Sequence, residues 1–114
     1  MLTLELLRAF GADVDEGLAR CMNNESFYLR LVGKAAADEG YERLRDALCT
    51  GDLAAAFEQA HALKGVLGNL SLTPLFNLVS ALTEQLRARE ERPDYPETAA
   101  LILAKRDELK ALCE

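Results

Sequence analysis

The chemistry open to this chain centres on one short run, His61-Ala62-Leu63-Lys64-Gly65-Val66-Leu67-Gly68-Asn69-Leu70. His61 is the only histidine, and imidazole is the side chain that serves as a neutral nitrogen nucleophile near physiological pH. Projected at about 100° per residue, the run lies on a helix whose apolar stripe centres near Ala60 and Leu67, with His61 about 110° from that centre. Imidazole therefore sits on the flank, within reach of water or of another protein. Lys64, one turn on, projects between His61 and the core, where an ammonium can neutralise an anion held beside the ring. Gly65 and Gly68 occupy the same flank one and two turns later. Each interior glycine costs a helix about 1 kcal/mol relative to alanine, so two on one stripe need a reason. Bare backbone beside His61 would admit a close approach by a partner; small residues would equally let two helices pack tightly. In the same way, Lys64 fits a snorkelling surface lysine, and His61 alone fits an ordinary surface histidine.

Other chemistry is poorly supplied. The chain has no phosphate-cradling glycine loop with a following Lys-Ser or Lys-Thr. A single histidine without neighbouring cysteines or grouped carboxylates makes no transition-metal site, so neither metal nor cofactor is expected. Ser26, Ser71 and Ser80 lack a nucleophile-elbow context. Cys21, Cys49 and Cys113 are scattered and odd in number, which reads as reduced thiols in a cytoplasmic protein, some of them core filler.

The elements that must position the histidine run read as helices throughout. In 114 residues, half of them apolar, there is room for one domain over 1–114 with one core and no second domain. Nineteen acids against 13 bases give a net charge of −6, which argues against nucleic acid as a partner. The N-terminal stretch lacks a basic start and a cleavage site, and no apolar run is long enough to span a bilayer, so a soluble protein is expected. Beginning at Met1, it reads as free-standing.

A first helix spans about Thr3 to Phe10 and stops at Gly11. Asp13 and Glu16 form a capping-box pattern that opens a short helix through Met22. After Asn23-Asn24, a longer helix covers about Glu25 to Ala37, with Phe27, Leu31 and Val32 facing inward. Asp38-Glu39-Gly40 breaks it, and Tyr41, Leu44, Ala47 and Leu48 mark the next helix. Gly51 and Asp52 supply a stop and an N-cap. Leu53, Ala56, Phe57, Ala60, Leu63, Leu67 and Leu70 then form a core-facing stripe at steps of three and four. In Ser71-Leu72-Thr73-Pro74, Thr73 is the expected N-cap and Pro74 the first helical residue. Leu75, Leu78, Val79, Leu82 and Leu86 continue on an antiparallel neighbour. Asp94 or Tyr95 caps a last helix from Pro96, with Ile102, Leu109 and Leu112 inward. Short turns between amphipathic helices predict an all-α, up-and-down antiparallel four-helix bundle with additional short N-terminal helices.

The histidine run resembles the histidine-containing phosphotransfer (HPt) domain family, whose motif is His-x-Leu-Lys-Gly followed by small residues, an Asn and an apolar residue. The match falls on His61, Leu63, Lys64, Gly65, Asn69 and Leu70, and the family's leucine spacing continues on Leu75, Leu78 and Leu82. Gly11-Ala12-Asp13-Val14, Gly17-Leu18, Arg20 and the Asn-rich turn before Tyr28 look like the family's opening segment. The sequence departs from the pattern at Ser71, where the family usually has Gly, at the bulkier Val66 and Leu67, and at Thr83, where many members carry Glu or Gln near the imidazole.

The resemblance implies a monomeric carrier, not an enzyme with its own kinase. His61 would accept a phosphoryl group from a receiver-domain aspartyl phosphate and pass it to another receiver, in response regulators or hybrid sensor kinases. Lys64 would stabilise the phosphoryl group, and Gly65 and Gly68 would admit the partner. Thr83 or Gln85 would supply the polar support, while Asn69 would shape the helix end. The alternatives are a helical interaction module that binds receivers without phosphotransfer and a metal or redox bundle. The first is opposed by the intact His61-Lys64-Gly65 set and the second by the lone histidine.

Overall fold

The computed structural model describes residues 1–114 as seven helices: α1 (Leu4–Phe10), α2 (Val14–Arg20), α3 (Glu25–Ala36), α4 (Gly40–Thr50), α5 (Leu53–Asn69), α6 (Thr73–Arg87) and α7 (Tyr95–Leu112). Each boundary has a local cause. The side chains of Thr3, Asp13, Asn24 and Asp52 accept hydrogen bonds from first-turn N–H groups of α1, α2, α3 and α5, satisfying donors that a helix cannot satisfy itself. Gly11 and Gly51 end α1 and α4 at φ +108° and +78°, a left-handed conformation that lacks a penalty only for glycine.

Helices α4, α5, α6 and α7 form a closed ring in which each packs against two others, α7 returning against α4. The two-residue connection between α4 and α5 and the three-residue one between α5 and α6 reverse the chain, so successive helices run antiparallel. Leu44, Leu63, Leu67, Leu75, Val79, Leu82, Leu86, Ile102 and Leu109 are buried at the centre. No helix is long and apolar enough to cross a membrane.

Helices α2 and α3 are fastened to the turn between α5 and α6, and α1 packs against α2 and α7. That turn is a Schellman motif: the Leu72 N–H donates to the Leu67 carbonyl at 3.0 Å and the Ser71 N–H to the Gly68 carbonyl at 3.1 Å. Ser71 holds the left-handed position at φ +55°, normally unfavourable for a residue with a Cβ. Its hydroxyl donates to Glu16 Oε1 at 3.1 Å and accepts from Arg20 at 3.3 Å. The turn thus keeps its shape without glycine, tied to α2 by the serine side chain.

Two expectations are corrected. The Asp13–Glu16 capping box closes on one side only. Asp13 accepts from the Glu16 N–H at 3.2 Å, but the Asp13 N–H donates to the Ser71 carbonyl at 2.9 Å instead of to Glu16. At α6, Leu72 fills the cap position, Thr73 is the first helical residue and Pro74 the second; the Thr73 hydroxyl donates to the Ser71 carbonyl at 3.3 Å. In α3, Tyr28, Val32, Ala35 and Ala36 are buried, and Phe27 and Leu31 pack half-buried against the core, as expected. The Tyr28 hydroxyl donates to the Leu70 carbonyl at 2.8 Å, so the aromatic that reaches the turn outranks its neighbour in burial.

Candidate functional site

Helix α5 presents His61 to solvent from its middle turns, while Ala60 and Leu63 beside it are buried. Neither ring nitrogen of His61 has a hydrogen-bond partner within the chain. The ring instead stacks on Phe57, one turn earlier, with centroids 5.7 Å apart and planes 15° from parallel, within the range of offset aromatic pairs. Lys64 is half-buried, and its Nζ lies 3.6 Å from Glu84 Oε1 on α6; the other oxygen of Glu84 is 3.5 Å from Arg87 Nε. The Arg87 guanidinium in turn lies over the Phe57 ring, 5.2 Å from its centroid.

His61, Lys64, Gly65, Gly68 and Asn69 share one open groove of about 710 Å³, lined also by Asp13, Glu16 and Arg20 of the α2 segment and by Phe76 and Asn77 of α6. The two glycines are not equivalent. A Cβ at Gly65 would meet nothing within 4 Å, whereas one at Gly68 would stand 3.1 Å from Phe76 Cε1. Helix packing therefore accounts for Gly68, and nothing within the chain requires glycine at 65. Asn69 is the exposed last residue of α5, on the groove's rim.

Two of the groove's charges, Glu16 and Arg20, are paired with each other. Arg20 forms an ion pair with Glu16 at 2.7 Å and donates to the Gly68 carbonyl. No three histidine, cysteine, aspartate or glutamate side chains are grouped as metal ligands. Cys21 is buried, Cys49 exposed and Cys113 half-buried, all as free thiols; burial pushes the Cys113 thiol up from its ordinary pKa.

Thr83 and Gln85 do not join this groove. Thr83 is fully buried, its hydroxyl donating to the Val79 carbonyl one turn back at 2.7 Å, so its polar group is satisfied inside its own helix. The acidic side chain that reaches the site from α6 is Glu84, and it meets Lys64 rather than the imidazole. Sequence reasoning missed Glu84 and Arg87, and it assigned Phe57 wholly to the core. Only the i, i+4 spacing of Phe57 and His61 carried a signal for their stack.

The Hpt domain family model matches residues 32–114, a span that contains His61 and all four helices of the bundle. The chain belongs to the Hpt domain family. No curated protein and no solved structure shows a match to it. Hpt domains are phosphocarrier modules of two-component signalling that work with receiver domains in histidine phosphotransfer.

Proposed function

We propose that this chain is a phosphorelay intermediate that accepts a phosphoryl group on His61 from a receiver-domain aspartyl phosphate and hands it to a second receiver. The observation that carries this reading is an exposed imidazole with a lysine one turn away and, beside it, a glycine whose missing side chain serves no contact within the chain. A lone pair on an imidazole nitrogen attacks phosphorus as the P–O bond of the acyl phosphate breaks, its electrons leaving with the aspartate carboxylate. The N–H proton on the ring's other nitrogen passes to water. Such transfers depend on in-line positioning and charge neutralisation. Lys64 supplies the charge by turning from Glu84 towards the phosphoryl group, Gly65 leaves room for the receiver's loops, and Gly68, kept small by Phe76, lets the groove run on beside it. Asn69 forms the rim that the receiver meets.

In this reading the functional unit is the whole of 1–114, including residues ahead of the matched span, because α2 forms a wall of the groove and Tyr28 and Arg20 hold carbonyls of the α5–α6 turn. One chain completes the groove, in keeping with a monomer, and the exposed thiol of Cys49 suits the reducing cytoplasm. The test is incubation with a phosphorylated receiver domain. Acid-labile, base-stable label on wild type and none on His61→Gln is the expected result. Equal labelling of the two, or no label from any receiver, overturns the carrier reading; a stable receiver complex without label would favour a non-transferring interaction module.

A further inference from the structure

His61 lacks the side-chain hydrogen bond that would fix an imidazole's plane, and the polar position on α6 where such support was expected, Thr83, is turned into the core. What the ring does have is Phe57. The phenyl group is only half-buried although Ala56 and Ala60 on either side are fully buried, so core packing does not account for all of its surface. Its plane lies 15° from that of the imidazole. From α6, Arg87 sits over the phenyl ring at 5.2 Å, and Glu84 holds Arg87 with one oxygen and Lys64 with the other, at 3.5 and 3.6 Å. The contacts run from the imidazole through Phe57, Arg87 and Glu84 to Lys64, the other group placed to meet the phosphoryl.

We propose that Phe57 is a positioning residue for phosphoryl transfer, holding the plane of the His61 imidazole by stacking while Arg87 and Glu84 steady it from α6. The proposal rests on the carrier reading, since it concerns the geometry of the same attack. A nucleophile must present its lone pair along the line of the breaking bond, and loss of that alignment slows transfer without weakening encounter. Stacking replaces a hydrogen bond here as the source of alignment, which leaves both ring nitrogens free.

Three variants test it: Phe57→Leu, which keeps an apolar side chain and removes the flat partner; Phe57→Tyr, which restores the ring; and Arg87→Met, an exposed change that keeps the stem and removes the cation. Each is assayed for single-turnover transfer from a phosphorylated receiver across receiver concentrations, for His61 ring order by NMR relaxation, and for thermal unfolding. Phe57→Leu should lower the maximal transfer rate by about two- to tenfold, with the half-saturating concentration unchanged and ring order reduced. Phe57→Tyr should restore both rate and order, and Arg87→Met should lower the rate by a smaller factor at unchanged melting temperature. A wild-type maximal rate in Phe57→Leu, a loss confined to half-saturation, or a failure of Phe57→Tyr to rescue overturns the proposal. Phosphoramidate, a small donor that needs no docking, keeps the two ideas apart. Wild type that labels at His61 with neither donor removes the carrier reading and this proposal together. Label at His61 with equal rates across the Phe57 variants removes only this one.

Discussion

An alanine at position 65 would place its methyl group in open space, because no heavy atom lies within 4 Å of that point. Nothing in the fold opposes the substitution, and the helix gains the usual difference between glycine and alanine, roughly 0.5–1 kcal/mol. For a domain of this size that corresponds to a rise in Tm of roughly 2–5 °C. The same methyl stands on the flank that carries His61. A receiver that packs its loops on bare backbone there is pushed back by about 1 Å, and a displacement of that scale from in-line geometry costs up to about a hundredfold in rate. Gly65→Ala should therefore melt higher and transfer more slowly, a pairing that a purely structural glycine cannot produce. Thermal circular dichroism and single-turnover transfer from a phosphorylated receiver measure the two sides. Wild-type transfer in the alanine variant, or a lower Tm, would refute the assignment of Gly65 to partner access. Gly68→Ala is the internal control: its Cβ would press on Phe76 at 3.1 Å, so the helix gain is offset and the Tm should rise less than with Gly65→Ala.

Lys64→Gln removes the cation but only a half-exposed ion pair at 3.6 Å, worth less than about 1 kcal/mol; melting should hardly move while transfer falls by about tenfold or more, as read by single-turnover assay. For Tyr28, burial and then the charges of Cys21 and Asp13 push the hydroxyl from 10.0 up to about 12. Its raised value means that folding favours the protonated form, so this contribution is complete below about pH 10 and is lost as the pH rises through about 12, by up to about 2–3 kcal/mol. Urea unfolding across that window should show the decline in wild type and a flatter profile in Tyr28→Phe, which also forfeits about 1 kcal/mol at neutral pH with the bond to the Leu70 carbonyl. Trimming the chain to residues 32–114 removes Tyr28 from the Leu70 carbonyl, Arg20 from that of Gly68 and Asp13 from that of Ser71, and uncovers the turn; thermal scans should lose their sharp transition, and a sharp wild-type melt would show that the matched span folds alone.

What could be read in the sequence was local. The caps at Asp13 and Asp52, the break at Asn23-Asn24 and the stops at Gly11 and Gly51 follow from residue type and the few positions after it, and the structure keeps them. The leucine stripes of α5 and α6 announced the bundle for the same reason. Where distant residues compete, the local rule gave the wrong partner: Glu16 leaves its capping box because Ser71 offers both a carbonyl to Asp13 and a hydroxyl to Glu16. Polarity misled at Thr83, since a threonine can satisfy its hydroxyl on its own helix and become core. Phe57 misled in the opposite sense, its spacing fitting the apolar stripe although its ring faces the imidazole. Glu84 and Arg87 belong to the site only through the register of α6 against α5, which no short-range pattern encodes.

The two halves of α5 are treated differently, and the difference suits a carrier. Its C-terminal end is held from several sides: Gly68 by Arg20 and the Ser71 N–H, Leu70 by Tyr28, and the next carbonyl by Asp13. The middle carries an imidazole without hydrogen bonds and a glycine without neighbours. A partner that docks here meets a groove whose shape is already fixed, so little ordering entropy opposes its arrival. The exposed imidazole and the bare backbone at Gly65 hold no side-chain bonds that a docking partner must first break. In the proposed relay, exchange between successive receivers would draw on both properties together, and they are set by the N-terminal helices gripping the turn as much as by the histidine itself.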